Sequence, residues 1–528
     1  MYYYVVLKSK TGAKYYMLSK VKSCGLIGID GYVVEVETDI SNGIPGFDIV
    51  GLGDVAVKES KERVRAAIKN SALEFPIRKI TVNLAPANIR KEGSALDLGI
   101  AMGILTATEQ VNTVDISKYM FIGELSLDGE IKPVNGVLPM AICALHEGIE
   151  NLILPVENAE EAAVVKDLNV FPAKYVSEVV YHINGEKLLQ KHSVDIDEIF
   201  SAKFEHELDF EDVKGQGNIK RALEVAASGG HNCIMIGSPG SGKTMIAKRL
   251  PTILPALTFD EALEVTKIHS IAGILPPKTS LVTNRPFRSP HHTISDIGII
   301  GGGKYPKPGE ISLAHYGVLF LDELPEFSKD ALEVLRQPLE DGHVTISRVN
   351  ASLTYPSKTM LICAANPCKC GNFMEPEKQC NCTPKQIQQY LGKLSGPLLD
   401  RIDIHIEVAS VKYKDLESTK EEEKSCVIRE RVNRARGIQL QRYKGLKIYS
   451  NSQLTPSLIN KFCKLDETGK ELLKNAFDRL GLSARAHHRI LKVARTIADM
   501  EESDMILPQH LAEAIQYRSL DRKFWGGH

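Results

Sequence analysis

The residues that could do chemistry begin with Gly237, Ser238, Pro239, Gly240, Ser241, Gly242, Lys243 and Thr244. Glycines at the first and sixth positions let backbone N–H groups wrap a phosphate, and a helix starting at the loop's end adds its positive pole. Lys243 then reaches the β- and γ-phosphates, and the Thr244 hydroxyl ligates Mg²⁺. The apolar run at Cys233–Ile236 and the helical run at Met245–Leu250 supply the strand–loop–helix setting that this pattern needs. A second apolar run, Val318–Leu321, reads as a buried parallel strand and ends in Asp322 and Glu323. Asp322 suits the Mg²⁺, and Glu323 suits a general base that polarises water. Asn366 ends a third apolar run, Leu361–Ala365, where its amide can orient that water. These residue types point to Mg²⁺-dependent hydrolysis of ATP.

A different chemistry follows at once. Cys368 and Cys370, then Cys380 and Cys382, form a CxC-x9-CxC cluster. Four thiols in so short a stretch suggest a closed Zn²⁺ site, structural in role, with no coordination position left open for catalysis. The spacing is tighter than the usual two- to four-residue interval. Redox-active thiols and unligated cysteines remain the alternatives. The other six of the 10 cysteines are scattered, as in a reduced compartment.

The elements that must position these groups can be outlined from composition and periodicity. At 528 residues the chain calls for two or three domains. Its net charge of −1 leaves any nucleic-acid binding to local basic patches. No apolar run is long enough for a membrane span, and the N-terminus lacks the regions of a signal peptide, so a cytoplasmic location is expected. Residues 1–16 carry no clear pattern and read as an extension of uncertain status. Residues 17–191 alternate short β-like and helical runs, an α/β domain. A polar stretch at 192–211 reads as a linker, 212–410 as a second α/β domain, and 411–528 as an all-helical lid after a charged connection.

Within the second domain, Val344, Ile346, Leu353 and Tyr355 alternate around a polar tip, which predicts a β-hairpin with Arg348 near its turn. Arg285, Arg288, His291, His292 and Lys304 form a further polar group. Adjacent histidines on a strand would face opposite ways, so His291 and His292 are poor partners for one metal, and a pore loop or subunit contact is expected instead. Arg429, Arg431, Arg434, Arg436 and Arg442 are interrupted by Glu430 and read as a solvated helix face.

The segments Arg285–Thr293, Gly301–Lys304 and Pro308–His315 resemble the magnesium-chelatase-type AAA+ family, and Asp209–Gln216 resembles the opening of an AAA+ module. Asp39–Phe47 and Val57–Ile68 extend the resemblance to the YifB/ComM subgroup over nearly the whole chain. The resemblance implies a hexameric ATPase ring, and its ComM side implies a DNA translocase or branch-migration helicase acting in recombination or natural transformation. It assigns Arg401, in Leu398–Asp403, as an arginine finger reaching the neighbouring subunit's γ-phosphate. It assigns Arg485, in Ser483–Arg485, as the sensor-2 arginine acting in cis, with Arg489 as the fallback. The hairpin matches the pre-sensor-1 hairpin of replicative-type helicases, making Arg348 and Lys304 candidate contacts to single-stranded or branched DNA. A chelatase-like motor that remodels a protein partner is the alternative.

Lys91–Asp97 and Gly123–Glu130 resemble the Lon-protease-like fold (ribosomal S5 domain 2-like). Matched residue by residue, Ala95 occupies the nucleophile position and Leu138 the lysine position. Without a Ser–Lys pair the domain is expected to be proteolytically inactive.

Overall fold

The run Asp30–Ser41 buries Val34, Val36, Thr38 and Ile40 and leaves the residues between them more accessible, the two-residue period of a strand with one covered face. It belongs to the first of two compact units, which gathers the chain up to residue 202 together with Thr266–Val282; the second gathers the remainder. The computed structural model describes residues 17–111, 116–201, 208–303, 306–348, 351–373, 375, 378–410, 422–446, 448–480 and 483–520. The expected extension over 1–16 lies outside these residues, as does most of the charged connection over 411–421.

In the first unit, β1 (Met17–Ile27), β2 (Asp30–Ser41), β3 (Gly46–Val50), β4 (Lys79–Ala85), β5 (Tyr119–Phe121), β8 (Asn151–Pro155) and β9 (Asn169–Ala173) form a mixed sheet in the order β3-β4-β2-β1-β5-β8-β9. Between them β6 (Glu124–Leu125) and β7 (Ile131–Lys132) make a small ribbon. The helix Asp97–Ala107 is apolar on every side and buried at all eleven positions. Gly103 lets it approach the sheet: a Cβ there would sit 2.6 Å from Thr38 Oγ1. The helix Val55–Asn70 starts where Asp54 accepts from the Val57 N–H at 2.8 Å.

Residues 266–282, read from sequence as part of the ATPase core, group with the first unit. The reason is local and polar. The Ser270 hydroxyl donates to the buried Glu161 carboxylate, and the Ser270 carbonyl accepts from Gly136 N–H at 3.2 Å.

The second unit is built on β10 (Cys233–Gly237), β11 (Phe287–Arg288), β14 (Val318–Leu321), β17 (Met360–Ala365) and β18 (Ile404–Val408), all parallel, in the order β11-β14-β17-β10-β18. β10, β14 and β17 are buried along their whole length, as strands covered on both faces must be. Two hairpins are added, β12 (Gly301–Gly302) with β13 (Lys307–Pro308) and β15 (His343–Arg348) with β16 (Ala351–Pro356). The helices Ser425–Arg442, Pro456–Phe462, Glu467–Leu480, Ala484–Met500 and Pro508–Gln516 bury Val432, Ile490, Ala494 and Leu511 in the same hydrophobic cluster as Phe320 and Ile362. Among the described residues no helix is long and apolar enough to cross a membrane.

Candidate nucleotide site and cysteine centre

Parallel strands all point their C-terminal ends one way, and loops leaving those ends meet at one edge of the sheet. Here the edge collects the loop after β10, the acidic pair after β14 and the amide after β17. Gly240 and Gly242 take φ of +83° and +87°, a region an L side chain rarely enters, so the loop can curl back on itself. Lys243 begins the following helix. Its buried ammonium donates to the carbonyls of Gly237 at 2.7 Å and Ser238 at 2.9 Å and to Asn366 Oδ1 at 3.3 Å. Burial pulls its pKa down, and the charges of Asp322 and Glu323 oppose that pull. The Thr244 hydroxyl donates to Asp322 Oδ2 at 2.6 Å, so two oxygens of the kind Mg²⁺ prefers already converge.

Glu323 stands in the left-handed region at φ +52°, a conformation costly for a non-glycine residue and common where a side chain must be aimed. Its own N–H is tied to Asp322 Oδ1 at 2.9 Å, and its carboxylate lies 3.7 Å from His292 Nδ1. This neighbour was missed from the sequence. His291 and His292 sit in a loop beyond β11 rather than on a strand, and their rings pack at 4.1 Å. The opposite-faces argument therefore does not apply, although neither histidine joins a metal-competent cluster among the described residues.

The opposite edge of the sheet has another character. Residues that precede the strands, Asn232, Arg285, Gly317, Thr359, Arg401 and Asp403, line an open cleft of about 540 Å³. Arg485, Arg489 and Lys492 line it too. The buried Arg401 guanidinium donates to the Pro397 carbonyl at 2.7 Å and pairs with Glu340. Arg489 is held by Asp403 and the Arg401 carbonyl, which occupies the fallback sensor-2 residue in the fold itself. Arg485 is exposed, and Ser483 beside it caps the helix and donates to Asp400 at 3.4 Å. Arg485 lines the same cleft as Arg401, at the edge of the sheet where the strands begin, whereas Lys243 follows the end of β10.

Other cations are neutralised where they stand. Arg285 pairs with Glu261 at 3.0 Å, and Arg288 makes two 2.7 Å bonds to Glu310. The expected solvated face at 429–442 holds for Arg434, which is exposed, whereas Arg429, Arg431, Arg436 and Arg442 are half-buried. Arg431 pairs with Glu224 and Glu423, Arg442 with the buried Asp499, and Arg436 donates to the carbonyls of Tyr449 and Ala227. The hairpin β15–β16 is present, packed through Val344, Ile346 and Tyr355, with Arg348 opposite Ala351 at its end. Lys304 and the Arg348 side chain lie outside the described residues.

The four cysteines do converge. Cys368 Sγ lies 3.4 Å from Cys370 Sγ and 3.8 Å from Cys380 Sγ, and Cys370 lies 3.6 Å from Cys380. With Cys382 their sulfurs all fall within 4.8 Å of one another. Sulfurs at the corners of a tetrahedron around Zn²⁺, with Zn–S of about 2.3 Å, would be ~3.8 Å apart. The donor set fits that ion. Backbone N–H groups of Asn372 and Asn381 hold the Cys370 thiol down to about 6, while burial pushes the Cys368 thiol up.

In the first unit Ala95 and Leu138, the residues that the resemblance sets at the nucleophile and lysine positions, are both buried. Leu138 offers only its backbone N–H, to Glu161 at 2.8 Å, and the neighbouring Ser94 hydroxyl is bonded to Glu124. Neither position carries a group able to form a Ser–Lys pair.

Family models for the magnesium chelatase subunit ChlI match residues 36–158 and 209–416, and its C-terminal part matches 422–518. The chain is 43% identical over 518 residues to the competence protein ComM of Haemophilus influenzae, covering 96% of this chain and 98% of that one. It is 41% identical over 506 residues to YifB of Escherichia coli, covering 96% and 98%. A Lon protease of Methanosphaera stadtmanae is 31% identical over 187 residues, 32% of this chain and 22% of that protein. With an AAA+ nucleotide site that implies ATP and Mg²⁺, and with relatives matched over nearly their full length, the chain belongs to the YifB/ComM subgroup of the magnesium-chelatase-like family.

Proposed function

We propose that the chain is an ATP-hydrolysing ring motor, hexameric, that translocates on DNA as a branch-migration helicase of the ComM type. The observation that carries the reading is the β15–β16 hairpin, between the Asp322–Glu323 strand and the Asn366 strand in the chain, whose backbone pairing ends on Arg348 opposite Ala351. Lys304, earlier in the sequence and outside the described residues, is the second candidate DNA contact.

In this reading Lys243 and the loop amides bind the β- and γ-phosphates, and Glu323 takes the proton of the attacking water while Asn366 orients it. Thr244 and Asp322 are the ligands for Mg²⁺, which neutralises charge on the phosphates when bound. Arg401 and Arg485 serve the neighbouring subunit's γ-phosphate, and this supports a ring, because a heterologous interface is what sets one edge of a subunit against the other edge of the next. Exchange of Glu340 for a phosphate would free Arg401 for that role. Cys368, Cys370, Cys380 and Cys382 hold a structural Zn²⁺.

The test is ATPase rate with and without single-stranded, duplex and four-way-junction DNA, at low and moderate salt, for the wild type and Arg348→Ala. Stimulation that salt weakens and Arg348→Ala removes is expected of a DNA motor. A second reading, a chelatase-like ATPase remodelling a protein partner, is favoured by the ChlI matches along the chain. It gains if no DNA binds or changes the rate.

A further inference from the structure

The loop that carries the thiols is also a wall of the nucleotide site. Cys368 lies two residues beyond Asn366, so the cluster begins where the β17 strand delivers its water-orienting amide. Gly371, next to Cys370, is at φ +82° and lies flat against the phosphate loop: a Cβ there would come within 2.3 Å of Pro239 Cδ. Glu375, between the two CxC pairs, accepts a hydrogen bond from the Ser238 hydroxyl at 2.8 Å and another from Ser410, just past β18. Gln216 donates to the carbonyls of Ser241 at 3.4 Å and Ala409 at 2.7 Å, steadying the same loop from another side.

Among its described residues the cysteine loop brings few side chains of its own to a core. Phe373 is exposed, and of its thiols only Cys368 is buried. Such a segment has little to offset the entropy of ordering its backbone, and ligation of four thiolates would supply it. A phosphate-binding loop in turn gains affinity when its N–H groups are aimed before the nucleotide arrives.

We propose that metal occupancy of the Cys368/Cys370/Cys380/Cys382 centre sets the affinity of the phosphate loop for nucleotide, transmitted by the contact of Gly371 with Pro239 and by the Glu375 link between Ser238 and Ser410. The proposal rests on the zinc reading given under the proposed function and adds a role to it. Gly371 and Glu375 are positioning residues: neither touches the reacting atoms. The centre controls how well nucleotide is held, and Lys243, Glu323 and Arg401 control how fast it is cleaved.

The experiment uses the full-length chain. Zinc per chain is measured, and binding of a fluorescent ADP analogue is titrated for four proteins: as purified, stripped of zinc and desalted, stripped and refilled with Zn²⁺, and Cys380→Ser/Cys382→Ser. A fifth, Glu375→Ala, leaves every thiol in place and guards against misfolding of the thiol variant. Loss of zinc is expected to weaken ADP binding by about tenfold, with recovery on refilling. Glu375→Ala should keep its zinc while its KM for ATP rises about three- to tenfold, the net worth of one intramolecular hydrogen bond, with kcat within twofold. A zinc-bearing protein whose ADP affinity is the same loaded and stripped, or a Glu375→Ala protein with unchanged KM, overturns the brace and leaves the zinc site standing. A chain that takes up no zinc even when supplied with it overturns both.

Discussion

The two edges of the parallel sheet in the second unit differ in what they hold and in how it is held. At the C-terminal edge, Lys243 donates to Asn366 at 3.3 Å and to the Gly237 and Ser238 carbonyls, and Thr244 donates to Asp322 at 2.6 Å. At the N-terminal edge, Arg401 is held by Glu340 and Arg489 by Asp403, while Arg485 points into an open cleft. One edge is a nearly finished site for a phosphate chain. The other is a set of cations held in readiness, with nothing anionic of its own strand ends to act on beyond their local partners. On the proposed reading, the catalytic set of one chain is distributed over the two edges of a single sheet.

The sharpest way to break that comparison is to remove the arginine. Arg401→Ala should lower the ATPase rate by about 10³–10⁵, the usual worth of an arginine finger. Mixed in equal amounts with Lys243→Ala, which is inactive for the opposite reason, it should recover about a quarter of the wild-type rate, since random assembly across a heterologous interface pairs an intact Lys243 with an intact Arg401 that often. Two inactive proteins that stay inactive when mixed would mean that both edges serve the same subunit.

Glu323→Gln should cost about 10²–10⁴ in rate, the range for a general base, while nucleotide binding measured by fluorescence titration is retained. Loss of binding in step with rate would instead make Glu323 a ligand for the nucleotide. Arg485→Ala is expected to cost about 10- to 100-fold, one charge-assisted hydrogen bond to phosphate, and to be rescued by mixing in the same way as Arg401→Ala. A cis role would show as a loss that mixing cannot repair.

The smallest effect concerns how the N-terminal edge is held rather than what it does. Burial alone would raise the Asp403 pKa, but Arg489, His231 and Lys492 outweigh it and hold the carboxyl well below the usual range. A depressed folded-state pKa stabilises fully above the ordinary aspartate value of about 3.9 and is lost as pH falls toward the folded value. Thermal unfolding of Asp403→Asn should therefore be lowered at pH 7 and converge with the wild type as pH drops below about 4. Curves that stay parallel to pH 3 would assign the loss to packing.

How far the site was legible depended on whether its parts were neighbours in the chain. Gly237–Thr244 carries its glycines, lysine and hydroxyl in one loop, so spacing was enough. The four cysteines lie within 15 residues and likewise announced themselves. His292 beside Glu323, and Glu375 against Ser238, were not legible: they are ordinary polar residues until the fold sets them against partners 31 and 137 positions away. The arginines between 429 and 442 were misjudged for the same reason. Their charge suggested water, but Glu224, Asp499 and the Ala227 carbonyl meet three of them at half-buried positions, while Arg434 stays exposed.

The sequence by itself determined the kinds of element and the chemistry each tip could do. Apolar runs of four to six residues ending in polar groups specify buried parallel strands with reactive ends, and that Ala95 and Leu138 can form no Ser–Lys pair is a matter of residue identity alone. Tertiary structure decided which ends meet. Strand order, β11-β14-β17-β10-β18, brings Asp322 and Asn366 to Lys243, and the packing of the helix Ala484–Met500 carries Arg485 to the opposite edge. Periodicity records which face of an element is covered. It does not record which neighbour covers it, because any apolar face of suitable shape removes the same surface from water.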